Sequence, residues 1–286
     1  MVYCGPMIEL TAWEARRDRI LVMGILNTTP DSFYEASRVV RRRAAIARAL
    51  RMVEDGADIV DVGGESTRPG SASIPVQEEM DRVLPVVEGV RKRSDVILSV
   101  DTTKAPVAEE ALAAGAQIIN DVSAMRHDER MGDVVARSGA FVVLMHMLGR
   151  PETMQQDPTY ADVVEDIHTF LAERIRAALG AGIDERRILV DPGIGFGKTL
   201  DHNLALLRNL DRLTDLGRPV LVGLSRKSFL GAILDLPAEE RIEGTIAADA
   251  IAIVRGASII RVHDVKEGRR TADVAERLRC HGVASH

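Results

Sequence analysis

Short aliphatic runs recur along the chain, separated by stretches long enough for a helix. They cover Ile20–Leu26, Asp58–Val62, Val96–Val100, Gln117–Ile119, Ala140–Met145, Arg187–Val190, Pro219–Leu224 and Ala257–Val262. Each is too short for a free-standing helix and is rich in Val, Ile and Leu, as parallel strands buried on both faces are. Between the runs the apolar period changes to a helical one. Ile46, Ala49, Leu50 and Val53 fall on one face, with Gly56 as a stop signal. Val163, Ile167, Phe170, Leu171 and Ile175 line a second helix, and Asp201 is read as the cap of a third that carries Leu206, Leu207, Leu210 and Leu213. Strand and helix alternating in this way predict a parallel sheet with crossover helices. At 286 residues, a single (β/α)8 TIM barrel is favoured over an open, doubly wound sheet. The pattern shows no linker to a second domain, and residues 1–18 are expected to form an arm or a cap over the barrel bottom.

The polar residues then fall where a barrel has its mouth. The runs end at or lead into Asn27; Glu65, Ser66, Thr67 and Arg68; Asp101; Asn120 and Asp121; His146; Asp191; Ser225, Arg226, Lys227 and Ser228; and Arg261 with His263. Any one of these is explained by the turn that must follow a strand. Together they mix carboxylate, amide, cation and imidazole at one end of the barrel, where such folds carry active sites. Asn27, Arg261 and His263 belong to the first and last strands, which become neighbours when a barrel closes. Arg offers a fork for phosphate oxygens, and Asn a neutral oxygen acceptable to a hard cation such as Mg²⁺. Asp101, Asn120 and Asp191, with Lys227 close by, suit a flat heterocycle rich in N–H donors.

Composition narrows the field. Only 3% of residues are aromatic against 46% hydrophobic, so the core must be aliphatic. A net charge of −6 with no long basic block argues against a nucleic-acid surface. The apolar runs are all too short to span a membrane, and the N-terminus lacks the apolar core of a signal peptide. Cys4 and Cys280 belong to no metal or redox motif and are expected to be reduced thiols in a cytoplasmic protein.

The segment Asp191–Thr199 imitates a phosphate loop but has Pro192 where the first glycine is needed. Its glycines are read as allowing close approach of backbone to a ligand, with Phe196 as a contact surface. Arg41–Arg43 is read as a solvated helix face, with attraction of an anionic ligand as the alternative. His146 is read as structural, and His127, His168, His202, His281 and His286 have no metal-ligand spacing.

Taken in order, the segments Met23–Phe33, Asp61–Gly70, Ser99–Asp101, Ile119–Asp121, Leu144–Met147, the Asp191 loop, Gly223–Ser228 and Arg261–Asp264 resemble the dihydropteroate synthases over nearly the whole chain. The resemblance implies a homodimeric transferase of folate biosynthesis that joins 6-hydroxymethyl-7,8-dihydropterin diphosphate to p-aminobenzoate with Mg²⁺. It assigns the pterin to Asp101, Asn120, Asp191, Lys227 and Met145. The diphosphate falls to Asn27, Arg68, Arg261 and His263, with Asn27 on the metal. Thr67, Pro69, Phe196 and Ser228 line the p-aminobenzoate pocket, where sulfonamides compete. Asp101, Lys227, Arg261 and His263 are the catalytic set. Two alternatives remain: a pterin-dependent methyltransferase on the same barrel, and a non-catalytic pterin-binding paralogue. One segment departs from the family pattern, since Tyr34-Glu35-Ala36-Ser37 replaces Ser-Asp-Gly-Gly. A stiffer loop there bears on turnover and sulfonamide sensitivity.

Overall fold

A computed structural model describes residues 19–28, 35–67, 70–150 and 153–279. The predicted N-terminal arm, Cys4, Tyr34, Arg68, Pro69, Cys280, His281 and His286 lie outside the described residues. Parallel strands run β1 (Leu21–Asn27), β2 (Ile59–Gly63), β3 (Ile97–Asp101), β4 (Ile118–Asp121), β5 (Phe141–Met145), β6 (Ile188–Asp191), β7 (Val220–Val222) and β8 (Ala257–Val262). They pair in sequence order and close into a barrel through β1 and β8, so the open-sheet alternative is excluded.

The helices that follow the strands are α1 (Glu35–Glu54), α2 (Val76–Arg91), α3 (Ala105–Ala113), α4 (Met131–Ser138), α5 (Val163–Gly180) and α6 (Leu200–Arg208). Then come α7 (Ser228–Leu234), α8 (Ile242–Val254) and α9 (Val265–Leu278). The predicted faces of α1 and α5 point at the sheet, with Ile46, Ala49, Ile167 and Leu171 buried. The third predicted helix needs two corrections. Its cap is Thr199, whose side chain accepts from the His202 amide while His202 accepts from Thr199 in return. It also breaks at Asn209, and Leu210 and Leu213 sit in a 3-10 turn over Leu210–Leu216. Glu35, Ala36 and Ser37 form the first turn of α1, where the family pattern has two glycines that disfavour helix. Arg42 and Arg43 are exposed, as a solvated face should be.

Alternation along the strands decides what fills the barrel. Leu21, Met23, Ile59, Ile97, Ile118, Phe141, Val143, Leu189, Leu221 and Ile259 pack together as an apolar plug. The alternate residues pack outward against the helices in a larger layer that includes Val60, Leu98, Ile119 and Val190. Burying an Ile or Leu contributes about 1.5–3 kcal/mol each. The plug is therefore a rigid floor rather than a pore. At the far end Asp58 accepts from the Val22 amide at 2.9 Å and pairs with Arg269 and Arg19, fixing β2 against β1 and α9. Among the described residues no helix is long and apolar enough to cross a membrane.

Candidate active site

One pleat above the apolar floor the inward positions turn polar. On β2, Ile59 is followed by Asp61; on β3, Ile97 by Ser99 and Asp101; on β4, Ile118 by Asn120; on β6, Leu189 by Asp191; on β8, Ile259 by Arg261. The register aligns Asp61 with Ser99, Asp101 with Asn120, and Met145 with Asp191. Gly63 and Gly223 keep the mouth open between these side chains. A Cβ on Gly63 would lie 3.7 Å from that of Asp101, and one on Gly223 3.8 Å from that of Arg261. Asp61, Asp101, Asn120 and Asp191 are all buried.

Asp61 is the hub of this layer. Its Oδ2 accepts from Arg261 Nε at 2.7 Å and from Asn120 Nδ2 at 3.2 Å, and forms an ion pair with Arg261 Nη2 at 2.6 Å. Arg261 Nη2 also donates to Asp101 Oδ2 at 3.0 Å. The predicted phosphate fork is thus largely engaged by two carboxylates, because a buried guanidinium needs anionic partners. It ties the heterocycle side of the mouth to the β8 side. Asp61 Oδ1, Ser99 Oγ and Asn120 Oδ1 are buried with no hydrogen-bond partner in the protein. Such acceptors call for N–H donors from a ligand. Sequence reasoning missed Asp61. Its signal was present, since it shares strand parity with Ile59, but it sits inside an aliphatic run rather than at its end. Asp121 is corrected the other way. Its carboxylate accepts from the Ser123 amide at 2.8 Å, the Ser123 hydroxyl at 2.6 Å and the Met125 amide at 2.8 Å, so it builds a turn.

The second wall comes from the loop between β6 and α6. Asp191 Oδ1 accepts from the Gly193 amide at 2.7 Å. Lys227 donates to the Ile194 carbonyl, and its Nζ lies 4.7 Å from the centre of the Phe196 ring. Lys198, which a phosphate loop would aim at its ligand, turns inward instead. Its Nζ bonds the Gly193 carbonyl at 2.9 Å, the Phe196 carbonyl at 3.0 Å and His146 Nδ1 at 2.9 Å. His146 is buried and held neutral, with burial as the main cause and Lys198 next, its pKa lowered to about 2. That agrees with its structural reading. Gly193 has φ +66°, and a Cβ there would fall 1.9 Å from the His146 carbonyl oxygen, so only glycine fits. Val122, Met145, Met147 and Met154 form an apolar cluster beside this wall, with Phe196 against it.

Thr67 is half-buried on the loop after β2, and Ser228 is exposed at the start of α7. His263 Nδ1 lies 3.0 Å from Ser225 Oγ. Asn27 ends β1 exposed, its Oδ1 3.8 Å from where a Cβ on Gly63 would be. A single neutral amide oxygen suits Mg²⁺, which takes one or two protein ligands and completes its shell from phosphate and water. An all-protein cage is not offered: among the described residues no group of three or more His, Cys, Asp or Glu is placed to hold a metal.

Electrostatics separates the roles. Burial raises Asp101 to about 7, with Arg261 opposing and Asp61 adding to the rise. Burial lowers Lys227 to about 8, against the pull of Asp191. Burial, and then Arg261, lower His263 to about 4, so it is a neutral imidazole rather than a cation at neutral pH.

Residues 23–263 match the sequence profile of the family described as "Pterin binding enzyme". The chain is 46% identical to the dihydropteroate synthase of Bacillus subtilis over 270 residues, covering 94% of this chain and 92% of that one. The chain belongs to this family. Among solved structures, it is similar to Xanthomonas albilineans dihydropteroate synthase with 4-aminobenzoic acid, at TM-score 0.86 and 47% identity, covering 93% of this chain and 95% of that one. The same enzyme in complex with 7,8-dihydropteroate matches at TM-score 0.82 and 44% identity, covering 93% and 96%.

Proposed function

We propose that the chain is a dihydropteroate synthase, a transferase that joins 6-hydroxymethyl-7,8-dihydropterin diphosphate to p-aminobenzoate and releases diphosphate. The observation that carries the reading is the buried layer Asp61, Asp101, Asn120 and Asp191 linked to Arg261. In this reading Asp101, Asn120 and Asp191 accept the N–H groups of the pterin, with Met145 against its face and Lys227 donating to its oxygen. Arg261, neutral His263, Asn27 and Arg68 face the diphosphate. Thr67, Pro69, Phe196 and Ser228 receive the arylamine.

The reaction runs by dissociative substitution. The bond from the pterin methylene to the diphosphate oxygen breaks, and its electron pair leaves with the diphosphate. A cationic pterin remains, the arylamine nitrogen attacks the methylene, and one N–H proton is lost to solvent. Asp101 supplies negative charge beside the cation, and Arg261 supplies positive charge toward the leaving group; preorganised charges of this kind contribute several kcal/mol. Asn27 would hold Mg²⁺, which when bound neutralises the departing diphosphate. No side chain needs to form a covalent bond.

A homodimer and a cytoplasmic location complete the proposal. Ile246, Ile251 and Val254 on α8, with Val274 and Leu278 on α9, are exposed apolar side chains on neighbouring helices. A patch of that kind fits a subunit interface. The test is to mix the purified protein with the pterin diphosphate, p-aminobenzoate and Mg²⁺ and to follow dihydropteroate and diphosphate. Product that disappears with chelator and falls with sulfonamide supports the reading. Pterin binding without product supports the non-catalytic paralogue, and methyl transfer without p-aminobenzoate the methyltransferase.

A further inference from the structure

We propose that Lys104 is a positioning residue that sets the arylamine pocket by clamping both limbs of the loop between β2 and α2. The inference rests on the synthase reading for the identity of that pocket. Lys104 follows β3 and is buried. Its ammonium donates to Glu65, to the Ile74 carbonyl at 2.9 Å and to Glu79 Oε2 at 2.6 Å. An ammonium has three N–H donors, and all three are used. Glu65 lies on the limb that leaves β2, Ile74 on the limb that enters α2, and Glu79 within α2 itself. One side chain therefore ties the end of β3 to both ends of the loop and to the helix behind it.

Further bonds join the two limbs around this point. The Ile74 amide donates to Glu65 Oε1 at 3.3 Å, Ser66 Oγ lies 2.8 Å from Ser71 Oγ, and Arg82 donates to the Gly64 carbonyl at 2.8 Å. Thr67, given to the arylamine in this reading, follows Glu65 by two residues. The hydrogen bonds of the Lys104 ammonium go to this loop and α2, not to Asp101, Asn120, Asp191 or Arg261. A buried ion cluster of this kind is a weak source of stability, because desolvation offsets the attraction; its best-attested use is to fix register. Here the register fixed is that of the loop relative to the pterin chamber.

The experiment compares wild type with Lys104→Met, Glu65→Gln and the double variant. Wild type is assayed first, so absence of product there refutes the synthase reading and leaves the clamp as a separate question, read from calorimetric p-aminobenzoate binding. KM for each substrate, kcat, pterin affinity by calorimetry and Tm are measured. Lys104→Met is expected to raise KM for p-aminobenzoate about tenfold, since small misplacements of a positioning group carry such costs. Pterin affinity should stay within about twofold of wild type. Glu65→Gln should move the same KM in the same direction. The double variant should be no worse than Lys104→Met alone, because the residues act as a unit. Parallel loss of both affinities and kcat with Tm, or an unchanged p-aminobenzoate KM in folded Lys104→Met, overturns the proposal. Should Lys104→Met not fold, an unchanged p-aminobenzoate KM in Glu65→Gln overturns it equally.

Discussion

Replacing Asp61 by Asn tests how the chamber works. The contacts of Arg261 and Asn120 with this residue all converge on one oxygen, Oδ2, while Oδ1 has no partner. An Asn amide oxygen in the Oδ2 position keeps those acceptor contacts and removes only the charge. Arg261 stays cationic, so its bond remains charge-assisted; what is lost is the ionic part of the pairing, offset in part by the desolvation the carboxylate no longer suffers. The lost ionic pairing is then on the order of 2–3 kcal/mol, within the range of a hydrogen bond to a charged group. If that loss appears in the transition state, kcat/KM for the pterin diphosphate falls by about 30- to 150-fold. Stability should change little, because the substitution also relieves a desolvated carboxylate.

A second readout separates electrostatics from packing. Asp61 is one of the charges that raise Asp101, and its removal also leaves Arg261 to Asp101. The acid limb of kcat/KM, which reports the free enzyme, should therefore move to lower pH in Asp61→Asn. The assay is diphosphate release across pH, with calorimetric pterin binding and thermal melts on the same samples. A kcat/KM within about threefold of wild type, with an unmoved acid limb, refutes the reasoning: Arg261 would then not depend on Asp61.

Other expectations follow from the same geometry. For wild type, the active form needs Asp101 as carboxylate and Lys227 as ammonium, so kcat/KM should fall below about 7 as Asp101 protonates and above about 8 as Lys227 deprotonates; a flat profile from pH 6 to 9, measured at saturating Mg²⁺, contradicts it. Gly193→Ala puts a Cβ 1.9 Å from the His146 carbonyl at φ +66°; a cost of about 3 kcal/mol or more should lower Tm by at least about 6 °C in calorimetry. Ile251 is 56% exposed on α8; Ile251→Asp should shift sedimentation from dimer to monomer, and an unchanged dimer places the interface elsewhere.

Much of this was legible because parallel strands buried on both faces read as aliphatic runs, and a closed barrel sends every run's end to one mouth. What the runs hid was parity. Asn27, Asp101, Asn120 and Asp191 are the last residues of their strands or next to it, still paired in the ladder rather than in following turns. Neighbours such as Asn120 and Asp121 therefore point to opposite faces, one into the chamber and one into a turn. Asp61 was hidden between Val60 and Val62, which pack outward against the helices, because hydropathy averaged along the strand does not separate its two faces. Lys104 carries no motif and Lys198 sits in a segment that only imitates a phosphate loop, yet each is buried among acceptors that the fold brings to it. Thr199 rather than Asp201 caps α6, since an offset of two residues is beyond what composition resolves.

The chamber's charges also bear on how chemistry is driven. Asp61, Asp101 and Asp191 face Arg261 and Lys227, an excess of carboxylate in a buried space. Folding raises Asp101 from 3.8 to about 7, so the folded chain binds its proton more tightly than the unfolded chain does. The sign of the linkage is then fixed: across that window the contribution of Asp101 to stability falls as pH rises. At neutral pH the fold thus carries part of the cost of an ionised carboxylate with too little compensating cation. In the synthase reading the transition state supplies that cation, as diphosphate departs from the pterin methylene. The same carboxylate that costs stability in the free protein is better compensated when the pterin becomes positive, which is differential stabilisation of the transition state over the ground state.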